Sequence, residues 1–309
     1  MSEPILEVEN LVKTYGAFRA VDGISFSIPR GRVVGFLGPN GAGKTTTISM
    51  LMGITLSNGG SIRYFGRDFA RHRLDCLRRI NFTSAFNTLL GRITVWENLV
   101  IFAGLYGVAN ARKTIRALLD EFEIGDLADA FYKNLSAGQR TRVNLVKCLL
   151  NDPEIVLMDE PTASLDPDIS DKTLSLIERL KRERGLSILY TSHNMDEVTR
   201  ICDEVIFLDH GRIVAQDTPD NLTRRFARAS LRLRLEGASA DLVAHLEAEK
   251  LDYTLPDAHS LVVNTAESLI PGLLFGIANA GSRIVDIEIE KPTLEDVFLD
   301  FARNKGERR

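Results

Sequence analysis

The sequence is short of several things, and each shortage excludes a class. Its 309 residues hold three cysteines, Cys76, Cys148 and Cys202, an odd and widely spaced set with no CxxC pair. That rules out a disulfide framework and a cysteine zinc site, and it fits a reducing compartment. Long apolar runs are missing too. The longest uncharged stretches, residues 99–109 and 269–280, fall short of the roughly 18–20 residues that cross a bilayer. The N-terminal decapeptide MSEPILEVEN carries acids and no apolar segment, so no signal peptide is expected. Neither sign of charge is in excess: 38 Lys and Arg against 42 Asp and Glu give a net charge of −4. Without a basic surplus, a dedicated nucleic-acid binder is not expected. No internal repeat, heptad run or low-complexity block interrupts the chain. Composition alone describes a soluble cytosolic protein, and at about 150 residues per domain its length predicts two domains.

What is present is an alternation of strand and helix patterns. Residues 32–37 (RVVGFL) read as a short buried strand entering a Gly-rich turn, with a helix over about 43–52. A helix over about 94–106 places Val95, Leu99, Phe102 and Leu105 on one face, and Thr94-x-x-Glu97 fits its capping box. Another helix covers about 112–123. Residues 155–158 and 187–190 are further buried strands, with helices between them. Such alternation predicts an α/β fold with a mostly parallel sheet wrapped by helices. Beyond residue 215 the order becomes strand (231–235), helix (240–249), strands (252–255 and 260–263), helix (267–280), strand (284–289). That is the β-α-β-β-α-β, ferredoxin-like pattern. A final helix starts at Thr293, with Asp296 at the box position. The domain boundary is expected near Arg225.

Gly38-Pro39-Asn40-Gly41-Ala42-Gly43-Lys44-Thr45 fits G-x-x-x-x-G-K-[ST] directly between a strand and a helix. Glycines at this spacing let successive backbone N–H groups turn toward a phosphate. The helix N-terminus adds its positive end, Lys44 reaches the β/γ oxygens, and the Thr45 hydroxyl suits Mg²⁺. The strand at 155–158 ends in Asp159-Glu160. At the end of a parallel strand beside the phosphate loop, Asp159 holds Mg²⁺ through water and Glu160 orients or deprotonates the attacking water. Taken alone, two acids after a strand are most often a solvated loop start. Joined to the phosphate loop they read as catalytic. His193 follows the strand ending Tyr190-Thr191-Ser192, where a sensor of the γ-phosphate is useful, whereas His72, His210, His245 and His259 lie in polar or turn surroundings.

Leu135-Ser136-Ala137-Gly138-Gln139 precedes a helix to about residue 150, and Ser136-x-x-Gln139 is itself a capping box. The plain reading is a well-capped helix; the functional one is a second phosphate contact at that helix start. The motifs GPNGAGKTT, LSAGQ, VLMDEP and SLD, with the His193 strand last, occur in the order and approximate spacing of an ATP-binding-cassette ATPase. Over residues 4–224 the chain resembles the ATP-binding subunit of an ABC transporter, and most of all the ABC-2, exporter-like type. Pro292-Thr293-Leu294-Glu295-Asp296-Val297-Phe298 resembles a C-terminal element frequent in that group.

The resemblance implies a P-loop NTPase cassette over 1–224, with a helical subdomain at about 84–150, an N-terminal antiparallel sheet, and a regulatory or dimerising domain over 225–309. It implies that Tyr15 stacks on adenine and that Gly38, Pro39, Asn40, Gly41, Ala42, Gly43, Lys44, Thr45 and Thr46 hold the phosphates of ATP. Thr45 and Asp159 would hold Mg²⁺, and Lys44, Glu160 and His193 would carry the hydrolysis. Ser136, Ala137, Gly138 and Gln139 would complete the ATP site of a second cassette, and Asp166 would cross that interface. A homodimer, a separate integral membrane permease and a peripheral place on the cytoplasmic face of a bacterial or archaeal membrane follow from the same resemblance. Two departures stand out. Ala137 replaces the usual Gly, a tolerable change unless φ there is positive. The glutamine that ordinarily ligates Mg²⁺ and links to the permease should fall near Ala85, yet Asn81–Asn87 holds none; Ser84 or Asn87 would have to supply an oxygen. The partner surface is expected around residues 86–97, with Trp96 either an interface anchor or the buried back of a helix. Two other classes stay open: a non-hydrolysing regulatory half of a heterodimer, suggested by those departures, and a soluble cassette acting on DNA or the ribosome.

Overall fold

A hairpin opens the chain: β1 (Leu6–Tyr15) and β2 (Phe18–Ile28) pair antiparallel about a tight turn. Then follow β3 (Val33–Leu37), α1 (Lys44–Leu51), β4 (Gly59–Tyr64), β5 (Arg67–Asp68), α2 (Arg73–Leu77) and β6 (Ile80–Ser84). Three helices come next, α3 (Val95–Leu105), α4 (Ala111–Glu121) and α5 (Ala137–Leu149). The rest of the first unit is β7 (Ile155–Asp159), α6 (Pro167–Arg184), β8 (Ser187–Thr191), α7 (Met195–Ile201), β9 (Glu204–Asp209) and β10 (Arg212–Asp217). This computed structural model describes residues 3–84, 88–163, 165–226, 229–236, 240–279, 282–290 and 293–303. The chain divides into two compact units, residues 1–219 and 220–309.

In the first unit an antiparallel sheet, ordered β2-β1-β4-β5, accompanies a six-stranded sheet ordered β10-β9-β3-β8-β7-β6. β9, β3, β8, β7 and β6 run parallel, and β10 returns antiparallel along β9. β3 and β8 are buried at all five positions, which is why they read as continuous apolar runs rather than alternating ones. The sequence predicts a parallel Asp159 strand ending beside the phosphate loop and gives no strand order; in the sheet that strand and β3 are not adjacent. The structure places β8 between them. Parallel crossovers need not join spatial neighbours, and order in the chain does not reveal an inserted strand.

The helices between β6 and β7 pack on one another, α3 against α4 and α5. Thr94 caps α3 in the expected box: its hydroxyl accepts from the Glu97 N–H at 3.1 Å, and its own N–H donates to Glu97 Oε2 at 2.8 Å. The inward face differs from the expected one. Val95, Asn98, Leu99 and Ala103 are buried, while Leu105 is 74% exposed. Asn98 replaces an apolar side chain because its amide is satisfied, donating to the Leu90 and Thr94 carbonyls at 3.0 Å and accepting from the Leu90 N–H at 2.9 Å.

The second unit contains α8 (Pro219–Phe226) except its first residue, then β11 (Ala229–Leu235), α9 (Ala240–Ala248), β12 (Asp252–Asp257), β13 (Ser260–Thr265), α10 (Ile270–Asn279), β14 (Ile284–Glu290) and α11 (Leu294–Arg303). Its sheet is antiparallel in the order β12-β13-β11-β14. That is the ferredoxin-like arrangement. Leu231, Leu233 and Leu235 alternate inward on β11 and share a core with Leu242 and Leu246 of α9 and Ile270 and Ile277 of α10. Thr293 and Asp296 form the box that starts α11. Among the described residues no helix is long and apolar enough to cross a membrane.

Candidate functional site

The loop from Gly38 to Gly43 leaves β3 and enters α1. Gly43 is the N-cap of α1 in the left-handed region, with φ 104. A Cβ there would lie 2.5 Å from the Ala20 carbonyl oxygen of β2. Only glycine fits that angle and that gap. The loop is braced from outside as well, because the Gly211 N–H donates to the Ala42 carbonyl at 3.0 Å. Pro39 and Thr46 are half-buried; Asn40, Gly41 and Thr45 are exposed. Lys44 is buried: its ammonium donates to the Gly38 carbonyl and, at 3.3 Å, to that of Pro39. Burial lowers its pKa, and the charges of Glu160 and Asp159 partly restore it. Lys44 therefore shares a field with both acids at the end of β7.

Those acids diverge. Asp159, the last residue of β7, accepts from Thr191 Oγ1 at 2.6 Å. Glu160 turns out of the strand with φ 49, an uncommon angle for a residue with a side chain. Its N–H donates to the Thr191 carbonyl and hydroxyl, both at 3.1 Å. The Glu160 carboxylate lies 2.7 Å from His193 Nε2. Register aligns the strand tips: Ser84 is paired with Asp159, and Asp159 with Thr191. The phosphate loop, both acids and His193 thus meet at the carboxyl ends of parallel strands, where open α/β sheets bind their ligands. Thr45 and Asp159 offer hard oxygen donors of the kind Mg²⁺ accepts, and Mg²⁺ usually keeps waters and phosphate oxygens instead of a full protein cage.

The remaining expected residues lie elsewhere on the first unit. Tyr15 ends β1, 52% exposed, with Lys13 Nζ 5.1 Å from its ring centroid. Ser136 caps α5 through a complete box with Gln139. Ala137, the first residue of α5, is not among the residues with positive φ, so its methyl brings no backbone strain. Gly138 is tightly placed: a Cβ would sit 2.7 Å from Ile169 Cγ2 of α6. Asp166 is the exposed N-cap of α6, with Pro167 next, and makes no side-chain capping bond. Trp96 is half-buried, with the Arg116 guanidinium 5.6 Å from its ring centroid. Ala85, Phe86, Asn87 and Ser164 lie outside the described residues. Sequence reasoning passed over Thr191, whose hydroxyl gains meaning only once β8 is known to pair with β7. It also passed over the buried Glu197.

Comparison with known proteins points to one family. The family model described as ABC transporter matches residues 21–163. The Nod factor export ATP-binding protein I of Ralstonia nicotianae is 41% identical over 223 residues, 72% of this chain and 69% of that protein. The linearmycin resistance ATP-binding protein LnrL of Bacillus subtilis is 30% identical over 305 residues, covering 96% of this chain and 98% of its own. A solved ATP-binding subunit of an ABC transporter matches with a TM-score of 0.65 and 30% identity, over 72% of this chain and 93% of the other.

Proposed function

The chain belongs to the ABC transporter family as an ATP-binding subunit, and from that premise we propose that it hydrolyses MgATP as half of a two-cassette sandwich driving export through separate membrane permease subunits. The observation that carries the hydrolytic reading is the 2.7 Å contact of Glu160 with His193 on the tips of neighbouring strands, within the field of Lys44.

Backbone N–H groups of residues 40–46 and the N-terminus of α1 receive the β- and γ-phosphates, and the Lys44 ammonium leaves its carbonyl partners for the phosphate oxygens. Glu160, its carboxylate aimed by His193, orients a water and takes its proton as the oxygen attacks the γ-phosphorus. The bond to the β–γ bridging oxygen breaks, and ADP and phosphate result. Thr45 and, through water, Asp159 would hold Mg²⁺, which when bound would supply neutralising charge at the phosphate oxygens. Ser84, opposite Asp159 on β6, stands in for the missing glutamine. Tyr15 stacks on the adenine.

Ser136, Ala137, Gly138 and Gln139 at the start of α5 complete the site of a second copy, and Asp166 crosses to it. The names of the relatives, one an exporter subunit and one a resistance protein, support export as the direction. The cassette spans 1–224, with its helical part at about 84–150, and works at the cytoplasmic face of the membrane. Residues 225–309 regulate or tighten the dimer.

The test is the full chain beside Glu160→Gln. The variant keeps ATP binding and loses about 10²- to 10⁴-fold in turnover, the usual worth of a positioned base. A wild type that binds ATP yet shows no Mg²⁺-dependent ATPase activity, alone or with its permease, refutes the reading.

A further inference from the structure

Behind the Glu160–His193 pair stands another carboxylate, buried and, among the described residues, without a counter-charge. Glu197, in the first turn of α7, is 6% exposed. Arg200, on the same helix, gives its guanidinium to Asp171, Glu178 and Ser175 instead. Taking a carboxylate out of water is costly unless its lone pairs are filled. Here hydroxyls fill them. Glu197 Oε2 accepts from Thr162 at 2.7 Å, Tyr190 at 2.9 Å and Ser192 at 2.9 Å, and Oε1 accepts from Ser170 at 2.9 Å. The same burial, with the Glu197 charge beside it, raises the pKa of the Tyr190 phenol and keeps it a donor.

The four donors come from four places. Thr162 is two residues after Glu160. Ser192 precedes His193. Tyr190 belongs to β8. Ser170, in the first turn of α6, also donates its N–H to the Asp166 carbonyl at 2.9 Å, and its neighbour Ile169 fills the space above Gly138. The turn after Glu160, the loop with His193 and the start of α6 with Asp166 are therefore tied, directly or through near neighbours, to one carboxylate. An apolar side chain would staple these segments with less desolvation, but it would not fix their hydroxyls in direction.

We infer that Glu197 is a positioning residue for the hydrolytic step, setting the loop that carries His193 against the turn after Glu160 and against the start of α6 that carries Asp166. This rests on the hydrolytic reading above. It acts through those neighbours and touches neither nucleotide nor water.

The experiment compares wild type with Glu197→Gln, Glu197→Ala and Thr162→Val in the full chain, measuring kcat, KM for ATP, equilibrium ATP affinity and thermal midpoint. A displacement of about 1 Å at a reacting centre costs on the order of 10²-fold. Glu197→Ala is expected to lower kcat by about that factor, with KM and ATP affinity within about threefold of wild type. Glu197→Gln rescues most of the rate, because its amide oxygen keeps the three hydroxyls and its amide N–H turns only the Ser170 hydroxyl. Thr162→Val, which preserves volume, lowers kcat severalfold at unchanged affinity, and it decides the matter if Glu197→Ala does not fold. An active wild type with equally active Glu197→Ala, or a loss shared equally by kcat, affinity and thermal midpoint and not rescued by Gln, overturns this inference alone. A wild type that binds ATP and never turns it over overturns it together with the hydrolytic reading.

Discussion

Two glycines of the phosphate loop offer a matched pair of perturbations. Gly41 and Gly43 both have positive φ, 80 and 104. A Cβ on Gly41 would meet nothing within 4 Å, whereas one on Gly43 would lie 2.5 Å from the Ala20 carbonyl oxygen. An L side chain in the left-handed region costs about 1–2 kcal/mol, so Gly41→Ala should weaken ATP binding by about 5- to 30-fold if the whole cost falls on the loop. Gly43→Ala carries that cost and a collision with backbone, which cannot rotate away. Restoring an ordinary contact of 3.4 Å means parting the loop from β2 by close to 0.9 Å. Displacing aligned donors by about 1 Å costs on the order of 10²-fold. The assay is thermal stabilisation by ATP, checked by direct titration with a fluorescent analogue. At a concentration 100 times its Kd, ATP stabilises the wild type by about 2.7 kcal/mol. A 30-fold loss leaves about 0.9 kcal/mol and a 100-fold loss about 0.4 kcal/mol by the same relation. If Gly43→Ala binds within about threefold of Gly41→Ala, the Ala20 contact does not hold the loop, and the argument fails.

Two further outcomes follow from features away from the loop. Thr94→Ala removes the hydroxyl that accepts from the Glu97 N–H and leaves the Thr94 N–H bond to the Glu97 carboxylate available; it should destabilise by about 1 kcal/mol, or about 2–4 °C in the midpoint of a thermal scan, and no shift would show the hydroxyl cap to be ornamental. Burial pushes the Asp203 carboxyl up, but Lys181, the Val33 N–H and Arg32 together outweigh it and hold the group below its ordinary 3.8. A lowered native pKa gives stability that is present above 3.8 and lost as pH falls through the native value. Asp203→Asn should therefore be less stable than wild type at neutral pH and converge with it in acid. Urea midpoints against pH would show this, and parallel curves would contradict it.

The motifs with fixed local geometry were legible in the chain. The phosphate loop, the boxes Thr94–Glu97 and Ser136–Gln139, and the alternating strands of the second unit each depend on residues within a few positions of one another. Local chemistry dictates them. The α3 face was misjudged at Leu105 because periodicity counts apolar side chains and does not see that a satisfied Asn98 can take a core position. The strand order was not legible for a related reason: adjacency in a parallel sheet is a long-range fact. Ser84, Asp159 and Thr191 come from strands far apart in sequence, and nothing in their neighbourhoods announces that they line up. Glu197 was passed over because its partners are four ordinary hydroxyls, which form no motif.

The sheet order also bears on how the chain is made. β3 emerges early from the ribosome, yet its two partners in the sheet are β8 and β9, and Val33 pairs with Ile188. Until that segment has been synthesised, β3 has neither neighbour and β7 lacks one, leaving strand edges with unpaired N–H and C=O groups. Such edges are the surfaces through which nascent chains associate with the wrong partner. The first strand of this sheet must wait for nearly the last. A polypeptide stopped short of β8 would carry the phosphate loop and both acids without the strand that lies between theirs, so the nucleotide site cannot assemble before residue 193 has been added.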